Sequence, residues 1–278
     1  MEKIRFVVVF AGLTLLGAGS AWCEGDSGYG DGNVRARLVA DTENANPDGS
    51  VMFGVHFEIK PGWHIYWHNP GGAGLATEIK WRLPAGYEIG EILWPLPIGF
   101  EQGGGIPGYG YEGSVVLATE IGIPAQATKE SALRAEVSWL ACKGVCVLGS
   151  ASLEGSLGEI VDASAFDGWS NTLPQRAEPA AVPFSIKTTG GMGDEGLVLW
   201  LNWPQPPETV EWFPAPPEDL EVTDVRVRNR GGLTRVDADV RPMAGASPTA
   251  CVVNSLVVAT FADGERRGWE LDVELDNP

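Results

Sequence analysis

Apolar and polar residues alternate with a period of two along much of the chain up to about residue 160. In "VMFGVHFEI" (51–59), Val51, Phe53, Val55, Phe57 and Ile59 share one face. In "WHIYWH" (63–68), Trp63, Ile65 and Trp67 oppose His64, Tyr66 and His68. "EIKWRL" (78–83), "SVVLATEI" (114–121) and "ALRAEVSWL" (132–140) continue the pattern, with Gly and Pro clusters between them. Successive side chains of a strand point to opposite faces, so this texture predicts short, half-buried antiparallel strands stacked as a sandwich or barrel. No sustained helical period competes with it.

From Glu159 the pattern breaks. "DASAFDGWSNTLPQRAEPAAVP" (162–183) has room for one short helix and then turns Pro- and Ala-rich, the composition of a linker. Alternation resumes in "GLVLWLNW" (196–203), "VTDVRVRNR" (222–230), "LTRVDADV" (233–240), "SLVVATF" (255–261) and "GWELDVEL" (268–275). The expected organisation is a first β-domain over 32–160, a linker over 161–181, and a second, smaller β-sandwich over 182–278. The second part contains no His and only Cys251, so chemistry is expected in the first. Most of the eleven tryptophans that fall on strands take the apolar parity, which marks them as core rather than as a sugar platform.

The N-terminus reads as an export signal. Lys3 and Arg5 precede an apolar run from Phe6 to Leu16, and small residues follow up to Ala21. That run is shorter than the roughly 20 residues of a membrane span, so residues 1–23 are expected to be cleaved after Ala21 or Cys23. The expected product is a soluble periplasmic protein, in a compartment where disulfides persist. A formal charge of −18 with dispersed acidic residues argues against nucleic acid and anionic lipid as partners, since both need clustered Lys and Arg.

"VSWLACKGVC" (137–146) carries the candidate chemistry. Cys142 and Cys146 would lie about 13 Å apart on a continuous strand. A disulfide between them therefore requires "KGV" to turn, with Gly144 at its centre. So small a loop stabilises by only about 2 kcal/mol, whereas one near 100 residues would give nearly 5. Lys143 beside the first thiol would favour its thiolate. Spacing alone leaves three readings open: an exchanging redox pair, a structural bridge, and soft metal ligands for copper or zinc. The pair is expected to be oxidised, with Cys251 free. His64 and His68 have helical metal-ligand spacing, but the Pro and Gly residues around them favour a strand, where they cannot chelate one ion together.

Three stretches in order, "PGWHIYWHNPGGAGLATEIKWRLPAGYEIGEILWPLPIGF", "YGYEGSVVLATEI" and "VSWLACKGVCVLGSASLEGSL", make residues 34–157 resemble the N-terminal periplasmic domain of DsbD-type thiol:disulfide interchange proteins, in the copper-sensitivity suppressor-like branch. The resemblance implies an immunoglobulin-like sandwich whose cysteines relay electrons without a cofactor. They would pass from a membrane electron donor, through a thioredoxin-like domain, to thioredoxin-fold periplasmic substrates such as disulfide isomerases. It implies that Cys142 and Cys146 are the catalytic pair and that Cys146 forms the mixed disulfide. It also implies a cap loop over the pair. "FEQGGGIPGYG" (100–110) occupies that place, with Phe100 or Tyr109 as the shielding residue. The best-known members space their cysteines more widely, and their membrane-embedded and thioredoxin-like parts do not follow here, so the expected donor is a separate protein, or the chain is a free-standing relative with a changed role.

Overall fold

The computed structural model describes residues 32–46, 48–176, 182–192, 196–245 and 252–275. The expected signal peptide, Cys23 and Cys251 lie outside the described residues.

The fold is all-β, as the alternation predicts. Ten strands build the first sandwich: β1 (Val34–Asp41), β2 (Ser50–Ile59), β3 (His64–Gly71), β4 (Glu78–Arg82), β5 (Glu88–Leu93), β6 (Ile98–Gln102), β7 (Ile106–Glu112), β8 (Ser114–Gly122), β9 (Ala132–Lys143) and β10 (Val145–Ser156). One sheet has the order β1-β2-β8-β5 and the other β10-β9-β3-β7-β6, with β4 also pairing with β9. The inward parity fills the space between them: Phe57, Ile65, Leu117, Ala135, Val137 and Trp139 are all buried in one cluster. Trp139 meets Phe57 edge-on at 5.7 Å.

Eight strands form the second sandwich: β11 (Gln175–Arg176), β12 (Ser185–Gly190), β13 (Leu197–Asn202), β14 (Thr209–Ala215), β15 (Leu220–Arg230), β16 (Leu233–Pro242), β17 (Val252–Thr260) and β18 (Arg266–Glu274). Its sheets run β11-β18-β17-β14 and β12-β13-β16-β15. Leu199, Leu201, Trp203, Val236, Val257 and Trp269 occupy its core.

The segment expected as a linker with room for one short helix is described up to Arg176. It makes two single 3-10 turns, Ala163–Phe166 and Trp169–Thr172, and ends in β11, which pairs in parallel with β18. Its aromatics explain why it stays down. Phe166 and Trp169 pack on Val39, Val116 and Ala118, and Trp169 Nε1 donates to the Val116 carbonyl at 2.9 Å.

The two sandwiches share apolar surface. Phe213, Leu256 and Val258 of the second belong to the buried cluster of the first. The Phe213 ring lies 5.0 Å from Tyr109 and 6.1 Å from Trp67, centroid to centroid. Polar groups close the rim: Arg266 donates to the Pro97 carbonyl at 2.7 Å and pairs with Glu211 at 3.1 Å. Glu211 in turn accepts from the Gly99 amide at 3.1 Å.

Candidate redox site

Cys142 and Cys146 are bonded to one another, with Cα atoms 4.1 Å apart. They are directly opposed in the β9–β10 ladder, and Gly144 makes the turn with φ +70°. That left-handed value is one glycine reaches without steric cost, which is how three residues reverse the chain here.

Ladder register places the neighbours. Residues directly opposed in a sheet share a face. His64 opposes Cys142, Tyr66 opposes Gly110, and Phe100 opposes Gly108. Strands β9, β3, β7 and β6 therefore bring Cys142, His64, Tyr66 and Phe100 together on the outer face of the larger sheet. The hydroxyl of Tyr66 lies 3.3 Å from Cys142 Sγ and 2.8 Å from Gln102 Oε1, as donor to either. Gln102 is held by its own amide, which donates to the Ala73 carbonyl at 2.9 Å. The Phe100 ring lies on His64, with centroids 3.9 Å apart, and 5.9 Å from Tyr66. A side chain at position 108 would obstruct this: an added Cβ would stand 2.3 Å from Phe100 Cε2. Glycine there clears the path for the ring.

The two sulfurs differ in access. Cys142 is 3 % exposed under these aromatics, whereas Cys146 is exposed. Beside Cys146, Val145 is 64 % and Leu148 72 % exposed, an apolar rim turned to solvent. Lys143 follows Cys142 on β9, so its side chain leaves on the opposite parity. Its ammonium donates to the Pro61 carbonyl at 3.0 Å.

The candidate covers separate. Phe100 is on the disulfide's side of the sheet, but Tyr109 is not. Tyr109 opposes Gly99, one residue out of phase with Phe100, and so points to the inner face. It is 7 % exposed against Phe213 of the second sandwich, where burial raises its phenol pKa to about 12. The loop expected as a cap is the β6–β7 hairpin, whose tip, 103–105, is exposed. What lies next to Cys142 is Tyr66, with His64 opposite on β3 and the strand-borne Phe100 laid on His64.

Histidine chemistry is muted. Burial lowers the pKa of His64, with Glu112 opposing the shift more weakly. His68 rests against Trp67 at 3.8 Å and Trp94 at 5.5 Å, and desolvation by the two indoles brings its pKa down to about 4 although one side of the residue stays exposed. β3 is a strand through both histidines, as expected. Among the described residues no three His, Cys, Asp or Glu side chains are grouped to hold a metal. A cleft of about 950 Å³ opens elsewhere, lined by Arg37, His56, Asp162, Trp169 and Arg266, and it contains neither cysteine. Arg37 and Arg266 are already paired there, with Asp162 and Glu211.

Sequence reasoning missed Tyr66 and Gln102. Tyr66 shares the parity of His64 and His68, which reads as a solvated face, and only the long-range register sets it beside a cysteine.

Residues 35–157 match the family model described as thiol:disulfide interchange protein DsbD, N-terminal. The crystal structure of the N-terminal periplasmic domain of ScsB from Proteus mirabilis is similar, with a TM-score of 0.66 at 22 % identity, over 88 % of this chain and 94 % of that one. Coverage that large takes in both sandwiches, so the two-sandwich fold is common to the two. No curated protein matches the chain significantly. Among the described residues no helix is long and apolar enough to cross a membrane.

Proposed function

From a first sandwich of the DsbD N-terminal type, we propose that this chain exchanges disulfides with thioredoxin-fold proteins through Cys142 and Cys146. The single observation that carries this reading is the asymmetry of the bonded pair: one sulfur open beside an apolar rim, the other enclosed under a phenol. Exchange needs a thiolate to approach a sulfur in line with the S–S bond. A partner's thiolate attacks Cys146 Sγ, the Cys142–Cys146 bond breaks, and its electron pair leaves on Cys142 Sγ. The Tyr66 hydroxyl, which has one proton to give, turns from Gln102 to that thiolate, since a charged acceptor holds the stronger bond. A second thiolate on the donor then attacks the mixed disulfide and releases Cys146. The donor dithiol has become a disulfide, and two electrons now reside on the pair. In the forward half, the Cys146 thiolate attacks a substrate disulfide and Cys142 resolves the complex.

The resemblance supports one direction of flow: from a membrane reductase or thioredoxin-like donor to periplasmic disulfide substrates, after export. The reaction uses no cofactor, because the cysteines carry the electrons. Cysteine replacements test the roles. Cys142→Ala, incubated with an oxidised thioredoxin-fold partner, gives a covalent complex that reductant releases, and Cys146→Ala does not. The opposite pattern exchanges the roles. Absence of any complex from either variant, together with a wild-type potential far below about −300 mV, would mark a structural bridge instead.

A further inference from the structure

The outer face of the β12-β13-β16-β15 sheet belongs to the sandwich that lacks the cysteine pair. Register aligns Lys187, Trp200, Arg235 and Arg228 in one row across its four strands. Arg230 follows on β15, exposed and without an ion pair among the described residues. Like charges directly opposed weaken a sheet, yet Arg228 and Arg235 are so placed. A single carboxylate relieves them: Asp237 accepts from Arg228 at 3.0 Å and from Arg235 Nε at 2.8 Å. Lys187, Arg228, Arg230 and Arg235 thus gather on this face with Asp237 shared by two of them, in a chain with 37 acidic and 19 basic residues. The Arg235 guanidinium lies 5.0 Å from the centre of the Trp200 ring. Trp200, Arg228, Arg230, Leu233 and Arg235 line a concavity of about 400 Å³.

The backbone aims these arginines. Pairing between β15 and β16 slips by one residue between Thr223 and Arg226, where Asp224 has φ +51°. Had the Thr223–Asp239 phase continued, Arg226, Arg228 and Arg230 would face the core, and Val225 and Val227 would face water. A one-residue bulge reverses every side chain beyond it.

We propose that this pocket binds an acidic segment of a partner protein, its carboxylates on Arg228, Arg230 and Arg235 and an apolar side chain against Trp200 and Leu233. Planar guanidinium forks match carboxylates bidentately, and the indole offers a face for an apolar or aromatic group. Concavity favours a peptide over a bilayer. A flat anionic membrane would also face the rest of a chain of formal charge −18, whereas a peptide meets only the patch.

Fluorescence anisotropy with a fluorescein-labelled Glu-Glu-Glu-Phe-Glu-Glu peptide and the full chain provides the test. Arg230→Glu weakens binding by about tenfold or more, and Arg230→Gln, which avoids charge reversal, weakens it less. Lys80→Glu makes the same charge change on the other sandwich and leaves affinity unchanged. Trp200→Leu removes the preference for this peptide over hexaglutamate. Circular dichroism verifies that each variant is folded. Undetectable peptide binding overturns the proposal, as does equal weakening by Lys80→Glu, which would mean long-range attraction only. Flotation with phosphatidylglycerol vesicles that depends on Arg230, without peptide binding, would replace the peptide by a membrane surface.

Discussion

The first sandwich turns outward a sulfur pair, a phenol and a stacked Phe–His pair, and the second turns outward a row of cations around an indole. Their interiors obey one rule, with the apolar parity turned inward: Val137 and Trp139 are buried in one, Val236 and Ala238 in the other. The outward parity is what differs. On the first outer face Tyr66 covers Cys142 and Phe100 covers His64 while Cys146 stays open, which suits the proposed exchange. On the second, Arg228 and Arg230 stay exposed, which suits the proposed docking of an acidic segment. Two sheets with the same internal logic thus differ in which residues occupy the parity that stability leaves free.

Removing their shared anchor tests that comparison most severely. Phe213→Ala leaves a cavity between Trp67 and Tyr109 and costs about 3 kcal/mol or more. Urea denaturation followed by circular dichroism is expected to show one transition for the wild type, and an earlier transition that separates into two for the variant. Two transitions in the wild type would mean that the sandwiches are stable independently.

A smaller effect is expected at the phenol. Tyr66→Phe keeps the ring over Cys142 but removes the donor, and a hydrogen bond to a charged group is worth about 1.5–3 kcal/mol. Attack on Cys146 by a small thiol is therefore slowed by about tenfold, and the Cys142 thiol pKa in the reduced protein rises. Stopped-flow exchange and thiolate absorbance report the two. An unchanged rate would remove Tyr66 from the mechanism.

Shielding should respond at Phe100 rather than at the hairpin tip. Phe100→Ala exposes His64 and the Cys142 side, so alkylation of the reduced pair by a bulky maleimide speeds up several-fold. Deleting 103–105 changes it little. The reverse result would restore the tip as the cover.

The smallest effect is on pH dependence. His68 titrates near 4 in the native chain and near its ordinary value when unfolded, and His56 and His64 shift in the same direction. Above about pH 6.5 both states are neutral and their contribution to stability is complete. Between pH 6.5 and 4 the unfolded chain binds protons that the native chain refuses, so stability falls with pH. The urea midpoint should decline from pH 7.5 to 5.5, and His68→Gln should flatten the decline.

The sequence by itself determined several of the longer strands and which of their faces go inward, and offered Gly144 as the turn if the cysteines pair, because period-two alternation and turn chemistry are local properties. "ALRAEVSWL" states which of its residues go inside without reference to any partner. The same local reading places Cys142 and Cys146 across a hairpin base. Only the tertiary structure decided which residues meet that pair. Phe100 and Tyr109 are equally plausible covers until the turn at 103–105 sets Phe100 against Gly108 and thereby sends Tyr109 to the opposite face. Tyr66 reaches Cys142 from 76 residues away. Phe213 looks like any core residue of β14 until it enters the other sandwich's cluster. Alternation fixes the face of a strand, whereas the choice of neighbour depends on register and sheet order, which are set by contacts between distant segments.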